Sequence, residues 1–106
     1  MNISDRYREL TDDVQLLLDA PVNGSGDEVL KAQRIIEQAA QELEKLEEQV
    51  GEIPQMQLEA KLTPVLLKSH SQLDRARLLL VEQGAEDRAA AVWELEQKIY
   101  RLLNAL

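Results

Sequence analysis

Apolar and small residues recur along this chain at alternating steps of three and four. The longest run is Val29, Ala32, Ile36, Ala39, Leu43, Leu46, Val50 and Ile53. Side chains three and four apart share a helix face, so the run predicts a long amphipathic helix over 26–50, with a coiled-coil-like seam turned toward other helices. Shorter runs with the same spacing flank it. Ile3, Tyr7, Leu10, Val14 and Leu17 predict a first helix over 4–19. Leu62, Leu66, Leu73, Ala76 and Leu80 predict a third over 55–83, and Val92, Leu95, Ile99, Leu102 and Leu106 a fourth over 86–106.

The residues between these runs act as stops and starts. Ser4 is an N-cap type, followed by Asp5 in the first turn where the helix dipole favours an acid. Pro21, Asn23, Gly24 and Gly26 break the chain after the first run, and Ser25 with Glu28 has capping-box spacing. Gly51 is placed to close the second helix in a left-handed conformation, with Pro54 beyond it. Thr63-Pro64 falls inside the third run, and a helix continuing through Pro64 loses one backbone hydrogen bond and bends there. Gly84 ends that helix, and Glu86 and Asp87 open the next. Four such helices on tight turns predict an all-α, antiparallel up-down bundle, with a three-helix core if the short first helix docks only partly.

Composition agrees. The 106 residues are 44% hydrophobic and 30% charged, with no Phe and abundant Leu, Ala, Glu and Gln, which favour helix over strand. That length builds one core, so residues 1–106 are expected to form a single domain. The absence of Cys removes disulfides, thiolate metal sites and thiol nucleophiles. With no secretory layout at the N-terminus and no apolar run near the roughly 18 to 20 residues that span a bilayer, a cytoplasmic protein without membrane partners is expected.

Charge divides the chain in two. Residues 1–60 hold 14 acids against 5 bases, while residues 61–106 hold 6 against 7, within a net charge of −8. A nucleic-acid binder normally shows a basic surface, so an overall acidic chain weighs against that class. Glu37, Glu44, Glu47 and Glu48 make an acidic face on the second helix that would suit a basic partner. Lys61, Lys68 and Arg75, seven apart beside the third seam, are placed to pair with that flank across an antiparallel interface.

Residues able to carry chemistry are few. His70 and Asp74, four apart, could share a metal or form a base with its orienting acid, but two ligands do not close a site. Leu67 stands three before His70, where a di-iron bundle needs Glu, and nothing in the spacing pairs His70 with Met1 or Met56 around a haem. No phosphate loop or nucleophile elbow occurs. No catalytic, cofactor or metal residues are assigned, and the chain is expected not to be an enzyme.

Consecutive apolar residues from Leu78 to Val81 point all round a helix and exceed what one seam can bury. Trp93 and Tyr100, seven apart, flank the fourth seam, and both types favour interfaces. Leu78, Val81, Trp93 and Tyr100 are therefore the candidate surface for a protein partner or a homodimer. The segment Leu58-Glu59-Ala60-Lys61-Leu62-Thr63, with Leu66-Leu67, Leu73-Asp74 and Arg88-x-x-x-Val92, resembles the chaperone-binding BAG domain. It departs from it in the longer stretch from Thr63 to Gly84 and in having Ala89 after Arg88. The acidic helical layout is similar to flagellar or type III export chaperones through its heptads alone. Neither likeness assigns the chain to a family. The expected function is a non-catalytic protein-interaction module of adaptor, chaperone or regulator type. The alternatives are a small-ligand or metal-binding bundle using His70 and Asp74, or a structural oligomerisation module.

Overall fold

A computed structural model describes residues 2–22 and 26–106. The chain forms α1 (Ile3–Asp19), α2 (Asp27–Glu47), α3 (Leu58–Glu82) and α4 (Glu86–Asn104), with two 3-10 turns, Val50–Glu52 and Gln55–Gln57, between α2 and α3. No strand occurs among the described residues. α1 packs on α2, α2 on α3, α3 on α4 and α4 back on α1, an up-down four-helix bundle whose largest interfaces are α2/α3 and α3/α4. Its extents, 44 × 21 × 20 Å, fit four helices side by side, the longest about 37 Å at 1.5 Å per residue.

The core follows the predicted seams. Tyr7, Leu10 and Val14 of α1 are buried with Val29, Ala32, Ile36, Ala39 and Leu43 of α2. Leu62, Leu66, Leu73, Ala76 and Leu80 of α3, and Val92, Leu95, Ile99 and Leu102 of α4, complete it. The seam ends Ile3, Leu17, Leu46, Ile53 and Leu106 are only partly buried, because the bundle opens to water at its ends. Ser69 fills the gap between Leu66 and Leu73, its hydroxyl donating back to the Leu66 carbonyl at 3.0 Å. Tyr7 is wholly buried and donates to the Leu43 carbonyl at 2.5 Å, which fixes α1 against α2. Burial, then the charges of Glu42 and Glu47, raises its phenol well above the ordinary value.

Several boundaries differ from expectation. The cap of α1 is Asn2, not Ser4: Asn2 Oδ1 accepts from the Asp5 amide at 2.8 Å, and the Ser4 hydroxyl donates to the same atom. α2 starts after Gly26 without a side-chain cap, and Ser25 of the expected capping box lies outside the described residues. α2 also ends at Glu47 rather than residue 50. Its last carbonyls are met by tighter bonds, Gln49 N to Leu46 O at 3.1 Å and then Glu52 N to Gln49 O at 2.8 Å, so the chain leaves as a 3-10 turn. Gly51 is accordingly not left-handed; the only positive-φ residue described is Gly84. The expected third helix loses Gln55–Gln57 to a 3-10 turn, but α3 does run unbroken through Pro64. α4 stops at Asn104, two residues short of expectation.

Gly84 makes the tight α3/α4 turn. With φ at 75°, it lets the Ala85 amide reach the Leu80 carbonyl at 2.9 Å and its own amide reach Val81 at 3.0 Å, the paired bonds of a Schellman closure. α4 thereby turns back directly beside the last turns of α3.

Candidate functional site

α3 and α4 carry most of the large apolar surface left outside the core. Among the described residues eight large apolar side chains are exposed, and five lie on these two helices: Leu67, Leu78, Val81, Trp93 and Tyr100. Positions 67, 78 and 81 fall on one helical row of α3, and 93 and 100 on one row of α4. The register explains the row. Within Leu78–Val81 the core stripe takes Leu80, Leu79 is partly buried at its flank, and Leu78 and Val81 stay outside.

The four residues expected at a partner surface keep 47–57% of their surface exposed. Val81 and Trp93 come together on a shallow notch of about 250 Å³, with small Ala89 and Ala90 between them and Arg77 and Glu86 completing the lining. Leu78 and Tyr100 do not line it. Leu78 lies one turn from Val81, and Tyr100 stands about 10 Å along α4 from Trp93. The exposed apolar residues thus follow α3 and α4 as a discontinuous strip centred on Val81 and Trp93.

Beside the strip lies a charged cluster that sequence reasoning saw only in part. Asp74 does not orient His70, as expected, but accepts two bonds from Arg77, from Nη2 at 2.8 Å and Nε at 3.2 Å. Arg77 Nε also stands 3.2 Å from Oε2 of Glu96 on α4, and His70 Nε2 stands 3.9 Å from the other oxygen, Oε1. Glu96 is 3% exposed, and its Oε2 is buried without a hydrogen bond. Burial, then the hydrogen bond and charge of Asp74, pushes the Glu96 carboxyl up to about 7, against the opposing pull of Arg77. Asp74 moves the other way, held below the ordinary carboxylate value chiefly by its bonds to Arg77 and then to Glu96. The signal for Glu96 was in its spacing: it stands four after Val92 and three before Ile99, an acid in a core row.

The acidic face divides likewise. Glu37 and Glu44 are exposed and line a groove of about 340 Å³ between α1 and α2, together with Asp19, Gln15, Gln41, Leu18 and Ala40. Glu47 and Glu48 lie outside that groove. Glu42, in the same acidic run, turns instead into the α2/α3 seam, where it is buried and meets Lys45 at 2.7 Å and Lys68 at 3.5 Å. Those lysines hold its carboxyl below the ordinary value. Of the expected basic row, then, Lys68 pairs across the seam.

A wider hollow of about 730 Å³ opens at the bundle end between Leu17, Pro21, Val29, Gly84 and Arg88. Its one cation is already engaged. Arg88 Nη2 donates to the Leu17 carbonyl at 3.0 Å and to Gln33 Oε1 at 2.6 Å, and Gln33 donates to the Leu18 carbonyl at 3.3 Å. Arg88 thus supplies the positive charge that the last turn of α1 lacks. Among the described residues no group of three or more His, Cys, Asp or Glu side chains is arranged to hold a metal ion. No helix among them is long and apolar enough to cross a membrane. Set against models of protein families, curated proteins and solved structures, the chain gives no significant match.

Proposed function

We propose that this protein is a non-catalytic interaction module, an adaptor, chaperone or regulator, that docks another protein along the α3/α4 strip. The supporting observation is the pairing of half-exposed Val81 and Trp93 on one notch, extended by Leu78 and Tyr100. Single exposed apolar residues are ordinary, but a two-helix strip containing Trp and Tyr has the composition of interface anchors. A shallow channel between two helices suits the apolar face of a third, so the partner segment in this reading is an amphipathic helix. The acidic α1/α2 groove lies on another side and would steer a basic partner without anchoring it.

A second copy of the chain is the other occupant the strip supports, by a two-fold contact of α3/α4 on α3/α4, which would make the protein a structural oligomerisation module. The ligand-binding alternative on His70 and Asp74 has less support, since Asp74 is committed to Arg77. Sedimentation velocity separates the first two readings. A concentration-dependent dimer abolished by Trp93→Glu supports self-association, and a monomer at all concentrations leaves the strip for a different protein. Retention of native-host proteins by the wild-type chain, lost with Val81→Glu, supports the adaptor reading. Retention unchanged by that substitution argues against it.

A further inference from the structure

Two glutamates occupy seam positions in this bundle, and their surroundings differ in sign. Glu42 is met by two lysines. Glu96 is met by one arginine that also serves Asp74, so one permanent cation stands between two carboxylates. Both seam acids are nearly excluded from water, yet only Glu96 has an oxygen buried without a hydrogen bond. An ionised carboxylate left in that state is costly, and adding its charge to the cluster gives a net negative patch whenever His70 is neutral.

We infer that Glu96 holds a proton in the closed bundle, donates it in a hydrogen bond to the Asp74 carboxylate, and on losing it to solvent loosens the α3/α4 seam. The geometry is that of a pH-sensitive clasp. The groups of α3 that face Glu96 are His70, Asp74 and Arg77. On its own helix Trp93 lies three residues before it and Tyr100 four after. Toward α1 the charges are Lys98 of α4 with Asp13 of α1, and toward α2 they are Glu42 and Lys45 of α2 with Lys68 of α3; none of these is paired with Glu96. With Glu96 neutral, Asp74 and Arg77 cancel and every charge in the cluster has a partner. With Glu96 ionised, two acids compete for one guanidinium in a place with little water to screen them.

Ionisation falls near neutrality, so the clasp would act within the ordinary range of cellular pH. Its effect would reach the strip directly, because Arg77 lines the notch with Val81 and Trp93. The clasp is a property of the α3/α4 packing and does not require that the strip bind a partner.

The test uses the full chain and its single tryptophan, one turn from Glu96. Emission and quenching of Trp93 are followed from pH 5 to 9 in wild type, Glu96→Gln and His70→Gln. One transition near pH 7 is expected in wild type and in His70→Gln, while Glu96→Gln stays at the low-pH signal throughout. A transition retained by Glu96→Gln but lost in His70→Gln would assign the proton to the histidine and overturn the inference. A flat wild-type profile would do the same. Carbon NMR of the glutamate side-chain carboxyls in wild type requires no variant: one group titrating near pH 7 is expected, and all of them titrating near the usual value of about 4.3 contradicts the clasp.

Discussion

Arg77 and Glu96 meet across the α3/α4 seam with Nε 3.2 Å from Oε2, although the same guanidinium is already bonded twice to Asp74. One cation therefore neutralises at most one of two neighbouring acids, and the buried Glu96 carboxyl is pushed toward its protonated form.

That arrangement fixes a sign for stability against pH. The Glu96 carboxyl is raised from 4.5 to about 7, so between those values the folded chain binds a proton that the unfolded chain has lost. Stability from this group is fully present below about pH 4.5 and declines as pH rises to about 7. Glu96→Gln, which imitates the protonated acid, is expected to stabilise the protein at pH 8 by about 2–3 kcal/mol, with the gain fading toward pH 4.5. Asp74, shifted downward, acts in a lower window: its contribution is present above 3.8 and is lost as pH falls through its folded value. Urea unfolding at pH 4.5, 6 and 8 checks the first, and unfolding below about pH 3.8 checks the second. A Glu96→Gln gain that is the same at every pH would contradict the assignment.

Arg88 ties three helices together through Leu17, Gln33 and, by way of Gln33, Leu18. Burial pulls its pKa down, but the group remains a cation at the carbonyl end of α1. Arg88→Met, which keeps the apolar stem, is expected to cost about 1–3 kcal/mol by leaving those acceptors unmet. Because α1 has the smaller interfaces, its amides should lose hydrogen-exchange protection before those of α3 do.

Gly84 offers a cleaner backbone test. A Cβ there would meet nothing within 4 Å, so the cost of Gly84→Ala is conformational alone. A loss of about 1 kcal/mol is expected from thermal or urea unfolding, through the positive φ of 75°. Gly26→Ala, also unobstructed but without a positive φ, should cost less.

Tyr7 is held by one buried bond that closes α1 onto α2. Tyr7→Phe keeps the ring in the core and removes the donor, with an expected loss of about 0.5–1.5 kcal/mol. Near-neutral stability would mean that the ring, not the hydroxyl, seats α1.

The seams were legible because burial along a helix imposes a spacing, and Leu62, Leu66, Leu73, Ala76 and Leu80 display it with a single gap, filled by Ser69. Helix ends were less so: Asn2 and Ser4 are both good cap types, and only the path of the backbone decides between them. The α2 exit was missed because Gly51 satisfies a general preference for left-handed closure, while the chain closes earlier by 3-10 bonds. At the candidate site the apolar strip could be read from surplus leucines and two aromatics. The charged cluster could not be assembled, since its members lie on two helices and the partner of Asp74 depends on side-chain reach. His70 drew notice as the only histidine, whereas Glu96 was one glutamate among many, distinguished only by standing in a core row.

We propose docking of a protein partner on the α3/α4 strip. Its most direct test is quantitative affinity purification from the native host with three chains: wild type, Val81→Glu/Trp93→Glu, and Glu37→Lys/Glu44→Lys, each first shown by circular dichroism to be folded. The expected result is a set of proteins, or a second copy of the chain, retained by wild type and by the acidic-groove variant and lost from the strip variant. Retention that survives the strip substitutions, or that disappears only with the acidic ones, would contradict it.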